Sequence, residues 1–164
     1  MFTVRILRQP TLTDAGKPDH GRRYALVLWG LTLLFALRVL GQAIQRWLPQ
    51  EFLPPFAAFQ GSALPYWFLL SAQLLILAVM ARVSRRVQTG VLKISRRSRT
   101  ILTWVGSLYM TVAFGRLALG LLLTEIAPWF HAWIPAVWHV VLASFVLTIA
   151  RFDARESARQ RPEA

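Results

Sequence analysis

Six polar side chains stand within otherwise apolar stretches of this chain: Arg38, Gln42, Gln73, Tyr109, Arg116 and His139. Arginine suits a phosphate, a carboxylate or a quinone oxygen, His and Gln suit carbonyls, and Tyr109 offers a hydroxyl donor. Together they describe a site for the acceptor-rich headgroup of an anionic or quinone-like amphiphile, whose tail would run between helices or into lipid. Arg116 poses the sharpest question, because the run from Ile101 to Leu123 is otherwise unbroken and apolar. A charge at the centre of a bilayer costs between about 2.5 and 17 kcal/mol, so it needs a counterpart.

The elements that must position these groups follow from composition. The chain has 164 residues, 55% hydrophobic and 16% charged, too apolar for a soluble domain of this size, and it reads as an all-α integral membrane protein. Four segments, about 24–48, 65–82, 101–124 and 132–150, approach the ~20 residues that ~30 Å of hydrocarbon demands. The expected fold is a compact bundle of four transmembrane helices over residues 24–150, with a basic tail at 1–23 and a charged tail at 151–164. The first span is longer than a signal-peptide core and lacks a small-residue cleavage site, so it is expected to be retained. The absence of cysteine excludes disulfides, thiolate catalysis and cysteine-ligated metal.

The net charge of +12 could suit nucleic acid, but its placement points to topology instead. Lys and Arg concentrate in both tails and between the second and third spans, at Arg82, Arg85, Arg86, Lys93, Arg96, Arg97 and Arg99, and are missing from 49–64 and 125–131. The positive-inside bias then puts both termini and the middle loop in the cytoplasm of a bacterial-type inner membrane. Val83, Val87 and Val91 recur every four residues among these cations, the pattern of a helix lying on an anionic membrane surface, although Gly90 weakens it.

A helical rise of about 1.5 Å per residue sets Arg116 roughly 11 Å, Arg38 roughly 15 Å, Gln73 about 12 Å and His139 roughly 9 Å below the outer boundary. Each span therefore offers a polar group to one layer. Arg38 shares a helical stripe with Gln42 and Gln45, Arg116 with Tyr109, Ala113 and Gly120, and His139 with Pro135, Ala136 and Ala143. Small residues favour close helix contact in a bilayer, so these faces are expected to point inward.

None of the four spans contains Asp or Glu. Four counterparts for the arginines follow: Glu51 or Glu125 folded in from the outer loops, outer headgroups reached by snorkelling, a carboxylate of a partner protein, or an anionic ligand. The outer stretch FQGSALPYW would supply a lid through Gln60, Ser62 and Tyr66. His139 suits at most five-coordinate haem, since His131 lies on the same helix eight residues away; a histidine hydrogen-bonded to Gln73, Gln42 or a backbone carbonyl is the plainer expectation. There is no intramembrane carboxylate for a proton relay, no activated nucleophile and no phosphate-cradling glycine loop. An accessory or binding protein is the expected function. The alternatives are an assembly subunit whose acidic partners pair with Arg38 and Arg116, and a membrane-embedded enzyme or carrier using the same pocket.

Overall fold

The computed structural model describes residues 19–59, 64–122 and 133–159. Gln60, Ser62 and Glu125, together with most of the N-terminal tail, lie outside the described residues. Among the described residues five α-helices follow in order: α1 (Asp19–Trp47), α2 (Phe56–Phe59), α3 (Tyr66–Gln88), α4 (Arg96–Leu122) and α5 (Trp133–Arg159). Among the described residues there is no strand. Four helical stretches, Gly21–Trp47, Tyr66–Gln88, Arg96–Leu119 and Ile134–Ala158, are long and apolar enough to cross a membrane. Their outer faces carry exposed Leu33, Leu37, Leu40, Leu75, Trp104 and Leu108. Apolar surface on that scale suits lipid and would be a liability in water.

The helices overrun the apolar spans. Arg82, Arg85 and Arg86 continue α3 to Gln88, and α4 begins at Arg96 with Arg97 and Arg99 on its first turn. Arg and Gln are good helix formers, so the charge that ends a hydropathic run does not end the backbone ladder. The expected single helix over this loop is replaced by the end of α3, the start of α4 and a short non-helical link between them. Val87 sits in the core at 1% exposure, whereas Val91 is 68% exposed, so the four-residue spacing does not describe one continuous face. Gly90 ends α3 with φ +69°. The Gly90 N–H bonds Val87 O at 3.1 Å and the Val91 N–H bonds Arg86 O at 3.0 Å, a Schellman motif whose left-handed position favours glycine. Ser95 then caps α4, its Oγ accepting the Ser98 N–H at 3.1 Å.

The long helices form two antiparallel pairs, α1 with α3 and α4 with α5, joined side by side through α1 and α5. In the first pair, Trp29 Nε1 donates to Gln88 Oε1 at 3.0 Å and Thr32 Oγ1 lies 3.3 Å from Ser84 Oγ. The second pair is closed by small residues. Gly106, Ala113, Ala136 and Ala143 are buried, and a Cβ on Gly106 would come within 2.9 Å of Leu147 Cδ2. The inward orientation expected for Ala113, Ala136 and Ala143 is therefore observed. A core of Leu28, Phe35 and Val39 from α1, Met80 and Val87 from α3, and Phe145, Ile149 and Phe152 from α5 holds the pairs together. Sealing this end, Asp153 accepts the Ile94 N–H at 3.2 Å and pairs with Arg99 at 3.1 Å. Arg99, read from the sequence as one of a set of surface cations, thus also clamps the link between α3 and α4.

Candidate functional site

At the opposite end, α1 brings Arg38 and Gln42 onto the face that meets α3, four residues apart and therefore adjacent around the helix. Gln73, on α3, donates from Nε2 to Gln42 Oε1 at 3.1 Å. Arg38 donates from Nη1 to the same oxygen at 3.4 Å and from Nη2 to the Phe59 carbonyl at 3.3 Å. The three side chains are deeply buried, with Arg38 at 9%, Gln42 at 0% and Gln73 at 4% exposure. Residues that the depth arithmetic set in one layer, Arg38, Gln42 and Gln73, are thus in mutual contact in the first pair.

This arrangement fixes the direction of each amide. Arginine has donors and no acceptor, so the oxygen of Gln42, not its nitrogen, must face Arg38. That oxygen accepts from Gln73 as well, which obliges Gln73 to present its nitrogen. Gln42 Nε2, Gln73 Oε1 and Arg38 Nε are consequently left buried without a hydrogen-bond partner. The set comprises two donors and one acceptor. Burying a polar group unsatisfied costs about 1–3 kcal/mol, and more for a charged one.

In the second pair, Tyr109 on α4 and His139 on α5 share a hydrogen bond between the phenol oxygen and Nδ1, their rings 5.6 Å apart edge to face. His139 was expected to bond Gln73, Gln42 or a carbonyl. Its partner is instead Tyr109, because the small-residue seam brings α4 and α5 close enough for the two rings to meet. Arg116 lies two turns beyond Tyr109 and is half-buried. Five of the six expected residues thus fall into two hydrogen-bonded groups, one within each helix pair.

Of the residues expected to form a lid, Tyr66 is described. Tyr66 opens α3, its ring edge-on to Trp47 at 5.6 Å and to Phe56 at 5.2 Å, and its hydroxyl is buried without a partner. Gln60 and Ser62 lie outside the described residues. The segment that reaches the site is α2, where Phe59 is buried, gives its carbonyl to Arg38 and approaches Gly41. Side-chain chemistry did not signal Phe59, since what it supplies is backbone; the available hint was an aromatic bracketed by prolines and a glycine. Glu51 does not pair with Arg38, whose bonds go to Gln42 and Phe59. Among the described residues no group of three or more His, Asp or Glu side chains could hold a metal ion.

No family model matches this sequence, and comparison with curated proteins and with solved structures gave no significant match.

Proposed function

We propose that this protein is a small multi-pass membrane protein, with both termini on the cytoplasmic side of a bacterial-type inner membrane, that binds the polar headgroup of an anionic or quinone-like amphiphile between its helix pairs. The observation that carries this reading is Arg38. It is buried, bonded to two neutral oxygens, and opposed by no carboxylate among the described residues. A buried cation in that state is expensive, and an incoming anion or electron-rich oxygen would offset the cost. Gln42 Nε2 and Gln73 Oε1 add a donor and an acceptor beside it, which suits a headgroup carrying a hydroxyl as well as acceptor oxygens. Tyr109, Arg116 and His139 would face the same headgroup from the second pair. The protein acts here as an accessory or binding component rather than a lone catalyst.

The test is native mass spectrometry of protein extracted gently from its own membranes. A small molecule retained by the wild type should fall at least tenfold in occupancy in Arg38→Ala and in Arg116→Ala. Equal ligand content in all three proteins would sink the proposal. Retention of a protein in place of a small molecule would favour the assembly-subunit reading, with Arg38 meeting a carboxylate of the partner.

A further inference from the structure

The other end of the molecule holds a second candidate site, independent of the arginine layer. Where the helix pairs meet beyond the core, the first turns of α1, the end of α3 with its link, and the last turns of α5 enclose a cavity of about 1010 Å³. Its floor is apolar, made by the buried Val87 and Phe152 with Leu92 and Ile94. Its rim carries the cations Arg22 and Lys93, both exposed. Two carboxylates also line it, but Asp153 is engaged by Arg99 and by the Ile94 N–H. The other lining carboxylate is Glu156, beside the two cations Arg22 and Lys93.

An apolar floor under a cationic rim asks for a ligand with the same division. The cavity lies where the helices pass from apolar to basic residues, the depth at which headgroups sit. Its volume is at the upper end of the roughly 300–1,000 Å³ typical of small-molecule pockets, enough for a headgroup and the first segment of its chains. We propose that this cavity binds the phosphate of an anionic phospholipid from the adjoining leaflet, Arg22 and Lys93 meeting the phosphate and Leu92 and Ile94 the glycerol and upper methylenes. A soluble phosphate monoester shares the rim chemistry but gains nothing from the floor.

Delipidated full-length protein in mild detergent, supplied with phosphatidylglycerol, phosphatidylcholine or glycerol 3-phosphate and read by native mass spectrometry, separates the cases. One phosphatidylglycerol adduct is expected, at least tenfold more abundant than that of either other probe. Arg22→Gln combined with Lys93→Gln should lower it at least tenfold. Arg96→Gln combined with Arg97→Gln removes the same charge outside the cavity and should change it less than twofold. Arg38→Ala should leave it intact, so failure of the arginine layer would not touch this site. Equal losses in the two double variants, or glycerol 3-phosphate binding as well as the lipid, would overturn the assignment.

Discussion

A guanidinium carries five N–H donors and no acceptor, and Arg38 places two of its nitrogens on neutral oxygens while Nε has none. In the proposed function such a residue serves binding at the expense of the empty fold, because a well-packed apolar side chain in place of a buried ion is often neutral or stabilising by about 1–4 kcal/mol. Arg38→Met should therefore melt at or above the wild-type temperature when delipidated, yet lose the ligand retained by native extraction. Arg38→Ala, which adds a cavity, should melt lower. A fall in Arg38→Met as large as in Arg38→Ala would make Arg38 structural. Legibility in the sequence followed the same logic at this scale. Arg38, Gln42 and Gln73 could be set at one depth because helical rise is fixed, whereas the Phe59 carbonyl has no signature and the Tyr109 to His139 bond required the distance between two helices.

The seam between α4 and α5 depends on Gly106. A Cβ there would lie 2.9 Å from Leu147 Cδ2 and 3.2 Å from Val146 Cγ1, so Gly106→Leu must separate the helices. Overpacking of this kind costs about 1–3 kcal/mol, and the expected outcome is a lower melting temperature together with loss of the Tyr109 to His139 contact. Gly115→Ala is the matched control: nothing lies within 4 Å of a Cβ there, and removing a glycine from a helix should stabilise it by about 0.5–1 kcal/mol. If both variants melt alike, the seam does not rest on Gly106. The existence of the four long helices was legible because about 20 apolar residues leave few alternatives. Their ends were not, since composition marks where apolar residues stop, while Gly90 and the cap at Ser95 mark where helical hydrogen bonding stops. The spacing of Val83, Val87 and Val91 misled for that reason, as it counted across the Gly90 break.

For the whole molecule, the proposed topology makes a direct prediction. Reporter domains active only in the cytoplasm should work when fused at Gly90 or after Arg159 and fail when fused near Glu51, and export-dependent reporters should give the reverse. A cytoplasmic signal near Glu51 would invert the assignment and place the arginine layer toward the other leaflet. What no hydropathy pattern could supply was which helices are neighbours. The spans read alike along the chain, and only the packing of Leu28, Phe35, Phe145 and Phe152 reveals that α1 and α5 join the pairs.

That pairing bears on the order in which the chain is made. Arg38, Gln42, Gln73 and the Phe59 carbonyl all belong to the segment that leaves the ribosome first, and Tyr109, Arg116 and His139 to the segment that follows. At about 5–20 residues per second, the early half spends several seconds in the membrane before its neighbour arrives. Within that interval Arg38 already has oxygens of its own half to bond, so the nascent chain does not wait for the last helix to shelter its most costly side chain. The second half brings its own tyrosine and histidine partnership, and the two halves meet with these bonds already made.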